Sequence, residues 1–326
     1  MPDIITITFN PTIDKSTGVG GLAPEKKLRC SAPKFEPGGG GINVARVIRR
    51  LGGEVLAIYP AGGYSGRFLN ELMETEGVPI ETVPIKQHTR ENLIVLDTST
   101  NQQYRFGMPG PSLEESEWQA CLRMVEKQNA SFIVASGSLP SGVPPDIYAR
   151  IACIARKQGA RFIVDTSGEA LKQAVKEGVY LLKPNLGELS SLVGREEINA
   201  EYVDDVAREV IGTGGCEVVV ASMGQSGAML VTKDQAVPIV PPTVKKKSTV
   251  GAGDSMVAGM VHALSKNWPI EEAVRYGVAC GTAATMNAGT ELSHPDDVEK
   301  LYRVMKRGST VHGPRSTDES LGGGES

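Results

Sequence analysis

Apolar residues along this chain fall into two recurring patterns, short β-branched runs and longer stretches with helical spacing. The first run, Ile4 to Phe9, predicts a buried strand that Asn10-Pro11-Thr12-Ile13-Asp14 turns off. Residues 15–35 lack helical period and alternate over short distances, which predicts a small strand pair lying off the main sheet. After Gly38-Gly39-Gly40-Gly41, the residues Val44, Val47, Ile48 and Leu51 fall at i, i+3, i+4 and i+7 and predict an amphipathic helix. Val55 to Tyr59 reads as a strand, 66–76 as a helix and 78–85 as extended chain; Leu93 to Asp97 and Gln103 to Phe106 form a hairpin pattern. With 15–35 that hairpin makes a second small sheet, a candidate lid.

From residue 113 the pattern is regular: helix 114–128, strand 132–135, helix 145–158, strand 161–164, helix 168–176, strand 179–182, helix 200–212 and strand 217–221. Alternation of this length means βαβ units, a parallel sheet and right-handed crossovers. Ala228 to Thr232 reads as an antiparallel edge, and helices 254–264 and 271–286 close the domain. The expected architecture is therefore three-layer α/β/α over residues 1–306, with lid strands from about 15–35 and 80–107. Residues 307–326, rich in Gly, Ser and charge, are expected to be a disordered tail.

Composition narrows the functional classes. The chain has 326 residues, 40% of them hydrophobic, and a formal net charge of −4, so no sustained basic face suits nucleic acid or an anionic membrane. Its five cysteines are scattered and form no CxxC pair, which argues against a disulfide framework and a zinc site. Gly, Pro or charge interrupts every apolar run short of membrane-spanning length, and a cytoplasmic protein is expected.

The chemistry concentrates in Ser248-Thr249-Val250-Gly251-Ala252-Gly253-Asp254-Ser255, which opens the helix from 254. A glycine turn at a helix start presents free N–H groups and partial positive charge to an anion. Asp254 adds a carboxylate where a pure phosphate cradle would exclude one, and a base beside an anion hole suits phosphoryl transfer to a hydroxyl. Small polar or ionisable residues also follow five strands, at Asp14, Ser136-Gly137-Ser138, Asp165-Thr166-Ser167, Lys183-Pro184-Asn185 and Ser222-Met223-Gly224. In open parallel sheets that is where ligands bind.

Together these motifs resemble the ribokinase-like carbohydrate kinases of the PfkB type, over roughly residues 3–306. GGGGINVAR at Gly38 to Arg46 and STVGAGDSMVAGM at Ser248 to Met260 match the two signatures, with KPNLGEL at Lys183 to Leu189 and SMGQSG at Ser222 to Gly227 between them. The resemblance implies a ribokinase-like fold and ATP-dependent phosphorylation of a ketohexose phosphate, fructose 6-phosphate going to fructose 1,6-bisphosphate. Tagatose 6-phosphate and fructose 1-phosphate remain alternative acceptors. By the same resemblance Asp254 is the general base and Gly251, Ala252 and Gly253 form the anion hole. Asp14, Gly38, Gly39 and Asn43 hold sugar hydroxyls, and Lys27, Arg90 and Ser138 surround a phosphate already on the substrate, with Arg29 of the lid a further basic candidate at that mouth. Lys183, Asn185, Ser222, Gly224 and Gly227 serve the nucleotide, and Asn185 and Glu188 hold Mg²⁺ through its water shell. Ser248, Val250, Ala284, Asn287 and Gly289 match a K⁺ site, although Glu291 departs from the pattern next to it. A homodimer through the lid sheet is implied as well.

Two readings from other classes stand beside this one. A sugar-phosphate or nucleotide sensor would keep the fold without the reaction, which the retained Asp254, glycines, Asn185 and Glu188 argue against. A dinucleotide oxidoreductase would need strand, GxGxxG and helix in that order, and the order is missing.

Overall fold

The computed structural model describes residues 2–309. The main sheet has nine strands in the order β13-β12-β11-β10-β9-β8-β1-β4-β5. These are β1 (Ile4–Ile7), β4 (Val55–Ala61), β5 (Ile80–Pro84), β8 (Phe132–Ser136), β9 (Arg161–Asp165), β10 (Val179–Leu182), β11 (Cys216–Ser222), β12 (Ala228–Val231) and β13 (Ala236–Ile239). Strands β5 to β11 across the sheet pair in parallel, while β12 and β13 add an antiparallel edge. The second sheet, β3-β2-β6-β7, comprises β2 (Thr12–Val19), β3 (Lys34–Gly38), β6 (Arg90–Asp97) and β7 (Gln102–Phe106).

Helices cover both faces of the main sheet. On one side lie α1 (Gly40–Arg50), α2 (Gly63–Thr75), α8 (Ala252–Ser265), α9 (Ile270–Thr285) and α10 (Pro295–Ser309). On the other lie α3 (Glu115–Lys127), α4 (Ile147–Gln158), α5 (Gly168–Glu177), α6 (Leu186–Leu192) and α7 (Val203–Gly212). Strand alternation divides the core between them: Ile163 joins the first cluster, and its neighbours Phe162 and Val164 join the second. Both faces are buried, so the strands read as continuous β-branched runs.

The chain enters the sheet at β1, moves outward to β4 and β5, then returns to the other side of β1 with β8. The strand order therefore reverses between β1 and β8, the place where open α/β sheets form a ligand crevice. Four local expectations change, one being that residues 80–84, expected among the lid strands, are main-sheet strand β5. The first strand stops at Ile7 instead of Phe9, and Asp14 lies inside lid strand β2, not in a turn after the main-sheet strand. Residues 15–35 contribute parts of β2 and β3 joined by a long loop, and β2 pairs with β6 in parallel. The domain closes with α10, which runs to Ser309; the remainder of the expected tail, 310–326, lies outside the described residues.

Candidate active site

Asp254 sits in the first turn of α8, whose N-cap is Gly251 at φ +70°. The first intrahelical bond is made by Ser255 to Gly251 at 2.8 Å, so the N–H groups of Gly253 and Asp254 precede the helical ladder. The Asp254 carboxylate accepts a hydrogen bond from Asn43 Nδ2 at 2.9 Å on one oxygen and from Ser136 Oγ at 3.5 Å on the other. Burial, followed by the charge of Asp165, pushes its pKa up to about 6, against the opposing pull of Asn43, Lys183 and Ser136. The residue is half-buried, with the carboxylate deep among protein atoms and part of its surface open to the crevice. That makes a carboxylate poised to take a proton near neutral pH.

On one side of this turn stands a cavity of about 550 Å³, with Ala252, Gly253, Ser222, Gly224 and Gly227 in its lining. Lys183, just past β10, is almost fully buried and pairs with Asp165 at 3.2 Å. Burial disfavours its charge, but Asp165, then Glu188 and Asp254, outweigh burial and hold the pKa above the ordinary lysine value. Its Nζ lies 3.4 Å from where a side chain on Gly253 would begin, beside the anion hole. Asn185 and Glu188, expected together at Mg²⁺, also bond each other. They form a capping box for α6, with Glu188 N–H donating to Asn185 Oδ1 and Asn185 N–H to Glu188 Oε2, each at 2.9 Å. Burial, with the charge of Asp165, still raises the Glu188 pKa, so a cation nearby would relieve it. A single carboxylate such as Glu188 suits a cation like Mg²⁺ that keeps most of its waters. Gly227 is fixed by the protein itself: at φ +88° its Cβ would fall 2.1 Å from Ile239 O.

On the opposite side, Asp14 is held by Asn92 Nδ2 at 3.0 Å, and burial raises its pKa despite that bond and the charge of Arg90. Arg90 donates to the carbonyls of Asn10 (2.9 Å), Met108 (3.1 Å) and Pro11 (3.4 Å). Three neutral carbonyls fix the guanidinium without neutralising it, and two of its five N–H groups are left to face an anion. Asn10 also donates through Nδ2 to Ser138 Oγ at 3.0 Å, which joins Ser138 to Arg90. The glycine run is a packing requirement as well: a side chain on Gly38 would strike the Asp14 carboxylate, and one on Gly40 would strike Ser136 Oγ. Lys27 and Arg29 stand exposed in the β2–β3 loop, and no hydrogen bond or ion pair among the described residues ties them to this cluster.

Below the anion hole, Ser248 Oγ donates to Gly289 O at 2.7 Å and accepts from Val250 N–H at 3.2 Å. Asn287 Nδ2 donates to Leu292 O at 2.9 Å, and Asn287 N–H reaches Ala284 O at 3.2 Å. The five residues that match a cation site are thus brought into one loop cluster. Glu291 turns to His294 at 2.8 Å and lies 3.9 Å from Lys34. Asn10, Asn92, Ser136 and Asp165 complete the site; Ser136 and Asp165 were named from sequence only as polar residues that follow strands, and Asn10 and Asn92 were given no role, since a short polar residue near a strand end or in the lid is a signal shared with ordinary turns.

The model of the pfkB family carbohydrate kinases matches residues 3–297. The chain belongs to this family. Among relatives of this kinase, the ATP-dependent 6-phosphofructokinase isozyme 2 of Escherichia coli (strain K12) is 47% identical over 309 residues, covering 94% of this chain and 100% of that one. The 1-phosphofructokinase of Bacillus subtilis (strain 168) is 32% identical, covering 93% and 98%. A crystal structure of the E. coli phosphofructokinase-2 in complex with fructose-6-phosphate matches this kinase with a TM-score of 0.89 at 45% identity, covering 94% and 100%. A second, in complex with potassium, matches with a TM-score of 0.90 at 47% identity and the same coverage. The ribokinase-like α/β fold, with its large, mostly parallel sheet and smaller four-stranded sheet, is thereby established.

Proposed function

We propose that this kinase transfers the γ-phosphoryl group of ATP to the free C1 hydroxyl of fructose 6-phosphate, giving fructose 1,6-bisphosphate and ADP. The observation that carries the reading is the position of Asp254. Its carboxylate stands at the open turn of α8, whose Ala252 and Gly253 line the cavity taken here for the nucleotide, and it accepts from Ser136, two residues before the Ser138 that Asn10 links to Arg90. As base it takes the hydroxyl proton while the oxygen attacks phosphorus, and the N–H groups of the turn receive the charge of the transferring group. Arg90 and Ser138 hold the 6-phosphate, Asp14 and Asn43 hold sugar hydroxyls, and Lys183 steadies the nucleotide phosphates. Lys27 and Arg29 reach the phosphate only through movement of the β2–β3 loop.

Glu188, with Asn185 beside it, would hold Mg²⁺ through its waters, and the ion would supply positive charge against the nucleotide phosphates. Ser248 and the carbonyls around Asn287 and Gly289 form the proposed K⁺ site, supported by the potassium complex of the E. coli relative. The exposed apolar side chains of the lid, Tyr104 and Phe106 among them, support a homodimer through that sheet. No helix among the described residues is long and apolar enough to cross a membrane, in keeping with a cytoplasmic enzyme.

The greater identity to 6-phosphofructokinase than to 1-phosphofructokinase favours fructose 6-phosphate as acceptor. Comparing kcat/KM for fructose 6-phosphate, fructose 1-phosphate, tagatose 6-phosphate and unphosphorylated fructose tests this directly. Fructose 6-phosphate should lead. A lead for another phosphorylated ketohexose reassigns the acceptor, and a lead for fructose defeats the phosphate role of Arg90. Calorimetric binding of ATP and sugar phosphate with no product would leave a sensor.

A further inference from the structure

Glu36, on lid strand β3, is buried, with only 5% of its surface exposed, yet the reaction proposed above gives it no task. Its two carboxylate oxygens face different parts of the molecule. Oε2 accepts from Thr290 Oγ1 at 2.7 Å, across 254 positions of sequence. Oε1 lies 3.7 Å from Arg46 Nη2 and 3.3 Å from Lys34 Nζ. Thr290 follows Gly289, whose carbonyl is bound by Ser248, and precedes Leu292, whose side chain lies 2.5 Å from where a Cβ on Gly251 would stand. The loop gripped by Glu36 therefore backs the N-cap of α8. On the other oxygen, Arg46 is itself buried and donates to Pro37 O at 2.7 Å and to Asn43 Oδ1 at 3.4 Å. Asn43 in turn bonds Asp254. Two residues beyond Glu36 is Gly38, against the Asp14 carboxylate.

We propose that Glu36 is a positioning residue that ties the strand leading into the sugar pocket to the loop backing the anion hole, so that sugar phosphate binding sets both halves of the site together. A buried carboxylate needs partners on both oxygens, and here each partner belongs to a different half. Sugar binding that moves β3 moves the 287–292 loop with it. The inference rests on the sugar-phosphate kinase reading above.

The test replaces Thr290, which touches no reactant, by Val and by Ser. Three quantities are compared with the unaltered kinase: kcat, KM for fructose 6-phosphate, and hydrogen–deuterium exchange of residues 287–292 with and without that sugar. Sugar phosphate should slow exchange of this loop in the unaltered kinase and in Thr290→Ser. In Thr290→Val the sugar should still bind, with KM within about threefold, but the loop protection should vanish and kcat fall roughly ten- to hundredfold. Retained kcat and protection in Thr290→Val overturn the proposal, as does a loss in Thr290→Ser equal to that in Val. A lowered Tm with kcat unchanged also overturns it, because Glu36 would then serve stability alone. Should the valine variant not fold, Thr290→Ala removes the hydroxyl without setting a methyl against the carboxylate, and is read the same way. If calorimetry shows no fructose 6-phosphate binding to the unaltered kinase, the substrate reading fails separately. The comparison is then made with the phosphorylated ketohexose that the panel selects.

Discussion

Charging Asp254 in place works against the fold, and this gives the residue opposite effects on rate and stability. Its pKa is raised from 3.8 to about 6 by burial and by Asp165. Between those two values the folded chain holds a proton that the unfolded chain gives up. Stability therefore falls as pH rises through about 4 to 6, and remains lowered above that, by at most about 3 kcal/mol. Asp254→Asn should have a higher Tm than the unaltered kinase at pH 8, with the gain disappearing towards pH 4, while kcat drops roughly 10²–10⁴-fold. Equal melting at pH 8 would contradict the desolvation argument. The unaltered enzyme should lose kcat/KM for the sugar phosphate on the acid side with a midpoint near pH 6, since that ratio reports the base of the free enzyme. Arg90→Lys should raise KM for the sugar phosphate at least about tenfold with less effect on kcat, since one ammonium cannot bond three carbonyls and still present a fork to phosphate. Asp254 was legible in the sequence because Gly251 and Gly253 just before it announce an anion-binding helix start, where a pure phosphate cradle would exclude a carboxylate. The task of Asn10 was not legible, and Ser136 was legible only as a strand-end residue, because what each does is defined by residues 80 or more positions away, at Arg90 and Asp254.

At the level of elements, most strands and helices followed from apolar spacing, and the exceptions have local causes. Strand β13 is four residues long and contains Pro238, tolerated because β13 is the sheet edge. Helix α10 did carry a signal, Val298, Leu301, Tyr302 and Met305 at i, i+3, i+4 and i+7 after Pro295-Asp296-Asp297, overlooked beside the featureless tail. Asn185 and Glu188 show how one spacing supports two meanings, since i, i+3 suits both a shared ligand and a capping box. Asn185→Ala should lower stability by about 0.5–2 kcal/mol in a denaturant melt, because the first turn of α6 loses its side-chain acceptor. An unchanged melt would deny the cap any energetic weight. Gly227→Ala combines a positive φ with a contact on Ile239 O, and should cost about 1–3 kcal/mol and raise KM for ATP by displacing the cavity wall.

Over the whole molecule, the alternation of strands and helices made the main sheet readable, but the lid was readable only as a set of strands. Its pairing depends on where the main domain places β6, which no local pattern encodes. Tyr104 and Phe106, two apart on β7, point to the same side and are exposed. Phe106→Glu should convert a dimer to a monomer in sedimentation velocity; a dimer that persists would place the interface elsewhere. The parallel pairing of β2 with β6 matches Thr12 with Arg90 and Val19 with Asp97, and the chain between them builds β3, α1, β4, α2 and β5. Closing so long a loop delays the lid until those elements are docked, so the lid should be the last region to gain amide protection during refolding. A refolding chain would thus complete its phosphoryl-transfer floor before it could enclose a sugar, and a polypeptide ending before residue 90 would leave β2 without its central neighbour.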